Sequence, residues 1–150
     1  MKREIQLVVM RAPQVLLAFA VLLSIAFLAS PGFVDSVNGD GTVTMLSGVG
    51  AVLWWVVILP NATSDYPRDA VLLVSLLLAQ VAFFVLPLLV VLRRFSSLAL
   101  RVFFCVLFVA GFISMTSIIG RSELVAFGVY LWLLAAVAAA TFCLLPPYDA

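Results

Sequence analysis

Apolar residues fall along this chain in five uninterrupted blocks, and no charged side chain enters any of them. The blocks are 12–34, 43–60, 70–92, 102–120 and 124–145. Crossing the hydrocarbon core of a bilayer takes roughly 20 apolar residues in a helix. Four blocks meet that length. The second is shorter and carries Ser47, Gly48 and Gly50, which weaken it as an independent helix. The pattern therefore predicts four membrane helices over about 12–34, 70–92, 102–120 and 124–145. Pro13 suits the first turn of the first helix, and Pro146-Pro147 closes the last.

The segment between the first two long blocks has a pattern of its own. Phe33 to Val37 and Thr42 to Met45 are β-prone and flank Asn38-Gly39-Asp40-Gly41. Asn-Gly between such segments is a strong hairpin signal. A short helix over roughly 46–59 follows. Its Trp54 and Trp55 suit the headgroup level, where amphipathic rings collect. The segment 35–69 is thus read as one outer-face connection, with its helix at the interface or packed as a partial, re-entrant element.

Charge turns this pattern into an orientation. If the second block does not cross, Lys2, Arg3, Arg11, Arg93, Arg94 and Arg101 lie on one side, and only Arg68 and Arg121 on the other. If all five blocks cross, the division is five to three and the Arg93-Arg94 pair is misplaced. The positive-inside rule selects four spans with both termini cytoplasmic. Lys2, Arg3 and Arg11 before an apolar run also fit a signal peptide. The length of the run favours an uncleaved first membrane helix.

Composition then limits function. The 150 residues are 66% hydrophobic and 10% charged, with a net charge of +1. Soluble domains run at roughly 45–50% apolar and 25% charged, so lipid is the main solvent of this chain. There is no basic excess for nucleic acid. Histidine is absent, which removes the commonest general base and metal ligand. Cys105 and Cys143 lie in apolar runs and read as small hydrophobes. The reading is of a non-enzymatic protein without cofactor or resident metal. Calcium is a secondary and weaker reading at Asn38 and Asp40, where Gly41 and Val43 also fit half of a calcium loop. Ser36 and Ser47 stand where its strongest ligands belong.

A few residues inside the spans are candidates for contact. Gln80 is an amide in the middle of the third block, and such a group more often bonds a neighbouring helix than a ligand. Pro87 frees a backbone carbonyl and kinks its helix. Ser114, Thr116 and Ser117, with Ala110 and Gly111, and the alanines at 135, 136 and 138–140, suggest close packing of the fourth and fifth blocks. Trp54, Trp55, Gln80, Pro87, Ser114 and Ser117 form the candidate interaction set. The expected architecture is an all-α, four-helix transmembrane bundle with a small extracytoplasmic β-hairpin and a short non-spanning helix. Its expected partners are membrane lipid and other membrane proteins, as for an accessory subunit or an immunity-type protein.

Three pieces of the chain give a family resemblance. They are Thr44-Met45-Leu46-Ser47-Gly48-Val49, Val85-Leu86-Pro87-Leu88-Leu89, and the stretch from Gly128-Val129-Tyr130 to Leu145-Pro146-Pro147. In this order they resemble the membrane domain of the paraquat-inducible protein A family over about two thirds of the chain. The chain departs from that family in lacking cysteine-rich zinc modules. It has Ile113-Ser114-Met115 in place of a Trp-Ser-Met-type stretch, and apolar residues where a Lys follows the Pro of the third block. The resemblance implies a bacterial inner-membrane protein that works with envelope lipid-transport partners.

Overall fold

The computed structural model describes residues 2–37, 43–65, 67–92, 94–119 and 127–145, with side chains for 13–33, 44–60, 69–92, 94–119 and 127–145. Among the described residues there are five helices and one hairpin: α1 (Lys2–Ala29), β1 (Pro31–Val37), β2 (Val43–Ser47), α2 (Gly48–Asp65), α3 (Pro67–Val91), α4 (Leu98–Ile119) and α5 (Phe127–Leu144). Among the described residues, three helices contain stretches long and apolar enough to cross a membrane: Asp69–Val91, Leu98–Ile119 and Phe127–Leu144. The apolar stretches of the other two, Pro13–Ala29 and Gly48–Pro60, are shorter. The fold is that of a small helical membrane protein.

Two expectations at the first helix need correction. The helix does not begin at Pro13; it starts at Lys2 and runs through the proline. Nor does it reach Val34. It stops at Ala29, because Pro31 cannot continue the helical hydrogen bonds, and the chain enters β1 at once. Hydropathy does not show this end, since Phe33 and Val34 are as apolar in a strand as in a helix. The hairpin itself is found, with Val37 paired to Val43 and Pro31 to Ser47. Two register shifts, between Pro31 and Phe33 and between Val34 and Ser36, place the extra residues on β1. The turn residues Asn38, Asp40 and Gly41, and with them the calcium reading, lie outside the described residues.

The second helix runs Gly48–Asp65 rather than 46–59. Ser47 sets its start by accepting the Gly50 N–H at 3.1 Å, as a capping side chain does. Gly48 is required at this corner. Its N–H donates to the Ser30 carbonyl at 3.0 Å, and a Cβ there would fall on the Phe27 carbonyl. The corner pins α2 to the last turn of α1.

α1 packs chiefly on α5, α5 on α4, and α4 on α3, while α3 closes more lightly on α1. Their directions alternate. Gly128 at the start of α5 lies against Ser30 and Pro31, just past the end of α1. Arg101 at the start of α4 meets Cys143 at the end of α5. Going along α4, Phe108 meets the Phe83 ring at a tilt and Gly111 reaches back to Ala79, so α3 and α4 are antiparallel. The start of α3 thus lies at the same end as the finish of α1, called here the hairpin end. The opposite end carries Arg94 and Arg101 and is called the arginine end. The core between the helices holds Phe27, Leu76, Phe83, Phe108, Met115 and Trp132, and α2 packs on α3 and adds Ala51 and Trp55 to it.

Candidate functional site

Three helices meet at one buried polar node. The Trp132 indole N–H donates to the Gln80 side-chain oxygen at 2.8 Å. The Gln80 amide nitrogen donates in turn to Ser24 Oγ at 3.1 Å. α5, α3 and α1 are joined by these two bonds. Ser24 and Trp132 have no exposed surface and Gln80 is 5% exposed. Trp132 reaches Gln80 because Gly111 on α4 has no side chain: a Cβ there would sit 2.6 Å from Ala79 Cβ and 2.9 Å from the indole. Phe83 closes the node from the side, meeting the Trp132 ring edge-on at 5.8 Å. An indole offers only a donor, while a carboxamide offers both donor and acceptor. The order Trp–Gln–Ser therefore satisfies each group in a dry interior. No nucleophile–base pair and no charge enters this arrangement, and its chemistry is that of helix-to-helix attachment.

A second attachment lies at the arginine end. Arg101 is in the first turn of α4, yet it is only 8% exposed. Its Nε donates to the Cys143 carbonyl at 3.1 Å. That carbonyl belongs to the last turn of α5, where no further helical N–H is available and the helix dipole favours a cation. Ser97 caps the start of α4 by accepting the Leu100 N–H at 3.2 Å. Phe95 anchors the connection between α3 and α4, stacked on Phe142 at 5.7 Å and edge-on to Phe104 at 5.8 Å.

The sequence-derived candidates separate in the structure. Gln80 is the centre of the node, as the packing reading of a lone amide expects. Pro87 lies inside α3, two turns beyond Gln80. Ser114 is buried on α4, whereas Ser117 returns its hydroxyl to its own helix, donating to the Ile113 carbonyl at 2.8 Å. Thr116 does the same, to Phe112 and Ile113. Trp54 and Trp55 differ in burial. Trp55 is buried, with its ring edge-on to Phe33 at 6.0 Å, and Trp54 is 55% exposed. Sequence reasoning missed Ser24, Trp132 and Arg101 as parts of attachments. An indole in the middle of the fifth block was the one signal that pointed to a buried acceptor.

Fold and node together define a class: a helical membrane protein in which the buried Ser24, Gln80, Trp132 and Arg101 attach helices to one another. Comparison of the chain with protein-family models, with curated proteins and with solved structures finds no match in any of the three.

Proposed function

We propose that this is a non-enzymatic integral membrane protein that works by binding other membrane proteins, as an accessory subunit or an immunity-type protein does. It sits in a bacterial inner membrane with four spans, α1, α3, α4 and α5, and with both termini cytoplasmic. The alternating directions of these helices support the four-span reading, because α2 then starts and ends at the hairpin end. The arginine end becomes the cytoplasmic side, in keeping with the positive-inside rule. The observation that carries the binding reading is the node. Gln80, the amide in the middle of α3, is engaged by Ser24 and Trp132 and serves packing. What remains for recognition is the exterior, where α4 offers Phe103, Val106 and Ile113 and α5 offers Leu134 and Val137.

A second reading is a component of envelope lipid transport, as the family resemblance implies. One observation favours it. Of the pieces that carry the resemblance, Thr44 to Val49 is a built corner, with Gly48 pressed on the backbone of Phe27 and Leu28.

A photo-cross-linking residue placed singly at Phe103, Val106, Leu134 and Val137, in native membranes, tests the function. Discrete protein adducts from one face are expected. Adducts with lipid-transport components favour the second reading, and lipid adducts alone from all four positions overturn the binding one. Topology has its own test. Cysteines at Ser64 and at Ser96, probed with an impermeant thiol reagent in intact cells, should label at Ser64 only. Labelling at Ser96 but not at Ser64 sinks the four-span reading.

A further inference from the structure

The levels of the helix ends give α2 a particular place. Ser24 and Trp132 lie at the level of Gln80 through their hydrogen bonds. From there α1 runs only to Ala29 and α5 begins only at Phe127, each about 8 Å away at 1.5 Å per residue. α3 begins at Pro67, about 20 Å away on the same count. The first turns of α3 thus stand roughly 12 Å above the ends of α1 and α5. α2 starts at the lower level, with Gly48 against Phe27 and Leu28. It finishes at the upper one, since one residue separates Asp65 from Pro67. A helix of 18 residues is about 27 Å long. α2 therefore climbs less than half its own length and lies nearer to the membrane plane than to the bundle axis.

Its side chains face two ways at that level. Ala51 and Trp55 are buried, while Val49, Leu53, Trp54, Val56 and Val57 are exposed. No charged residue occurs from Gly48 to Pro60. α3, on which α2 packs, exposes Val71, Val74 and Leu78 over its own first half. An apolar surface of this extent is not left in water.

We propose that α2 is a shallow membrane-surface helix whose exposed face, Val49, Leu53, Trp54, Val56 and Val57, is seated in the lipid of the outer leaflet. The occupant is lipid rather than protein for two reasons. The helix starts where α1 and α5 finish and climbs beside α3, whose exposed Val71 and Val74 carry the apolar surface of a span past that level. The uncovered face also combines aliphatic side chains with an exposed Trp, the pairing found where one end is apolar and the other wet. The bundle covers the inner face of α2, so the helix does without the charged face that free interfacial helices turn to water. The proposal rests on the four-span reading and is independent of which protein is bound.

Nitroxide labels at single cysteines test it, in the variants Val49→Cys, Leu53→Cys and Val57→Cys. The full chain is reconstituted in vesicles of phosphatidylethanolamine and phosphatidylglycerol. The parent chain, labelled in parallel, sets the background from Cys105 and Cys143. Ser96→Cys gives an aqueous reference and Val106→Cys a mid-span reference. Power saturation is expected to show relaxation by oxygen exceeding that by a water-soluble nickel chelate at Leu53 and Val57. The depth expected is about 5–10 Å below the headgroups. Nickel accessibility like that at Ser96 places the face in water and overturns the proposal. Immobilised labels shielded from both relaxants place a second copy on it and overturn it equally. A depth at Val57 equal to that at Val106 means that α2 crosses, and then the four-span reading itself falls.

Discussion

Helix α5 is tied to its neighbours at both ends, and the two ties are built on opposite principles. At the hairpin end the tie is neutral and made by side chains, with Trp132 donating to Gln80 and Gln80 to Ser24. It needs three helices at one level and a glycine on a fourth. At the arginine end the tie is charged and uses the backbone, with Arg101 donating to the Cys143 carbonyl. It needs only that one helix finish where another begins. The first arrangement fixes which helices meet and at what height. The second fixes only an end. Side-chain hydrogen bonds inside membrane proteins average about 0.6 kcal/mol, so neither tie is a large store of energy. The node owes its importance to how many separate features must coincide for it to form.

The largest effect is expected where this coincidence is broken by volume. Gly111→Val puts three carbons where a single Cβ already comes 2.6 Å from Ala79 and 2.9 Å from Trp132. The indole must move, and its bond to Gln80 goes with it. Overpacking of this kind costs about 3 kcal/mol. A lowered midpoint of unfolding in a dodecyl sulfate titration, with red-shifted Trp132 emission, measures it. An unchanged midpoint would show that the helices slide apart freely and that the node does not set their spacing.

Gln80→Leu keeps the volume and removes the chemistry. It deletes both bonds and strands the Trp132 N–H, at an expected cost of about 2 kcal/mol. Trp132→Phe added to it should recover part of that loss, because no donor is then left stranded. Full additivity of the two substitutions would mean that they do not share a bond.

The difference between the two ends also shows what the sequence made legible. Uncharged runs gave the helices, because lipid admits few alternatives to a helix with its bonds made internally. Gln80 stood out as a polar group with nowhere to go but a neighbour. Its partners did not. Ser24 lies between Leu23 and Ile25, and nothing local says that this face of α1 meets α3 at the height of Gln80. Arg101 was counted as a loop charge beside Arg93 and Arg94, and its burial follows from where α5 ends. The start of α1 and its finish at Ala29 were misjudged for one reason. A proline is tolerated within a long helix at one site and breaks the chain into a strand at another, and the choice is made by packing. The hairpin was legible because period and turn residues agreed.

Arg101→Gln tests the arginine end. It removes a cation from a helix C-terminus, and the expected loss is about 1 kcal/mol. The loss should appear as faster amide exchange at Leu144 and Leu145, with Trp132 emission unchanged. Arg101→Lys should recover only part, since a point charge does not reproduce the fixed Nε–H geometry. A change in Trp132 emission would show that the two ties act as one unit.

Ser24→Ala is the smallest and most discriminating change. It leaves the bond between Trp132 and Gln80 in place and takes away only the acceptor of the Gln80 amide nitrogen. If the node is a chain of separate bonds, the cost is that of one membrane hydrogen bond, about 0.6 kcal/mol. In the Gln80→Leu background the same substitution should then cost almost nothing, because no amide remains to be served. If the node is cooperative, losing the Ser24 acceptor also weakens the bond from Trp132, since each hydrogen bond in such a chain polarises the next. The single substitution would then cost more than one bond and would shift Trp132 emission from a distance, through an amide that has not been mutated. The emission of Trp132 in Ser24→Ala therefore separates a set of pairwise contacts from a network. It must be read with Trp54→Phe and Trp55→Phe already in place, so that only the buried indole reports.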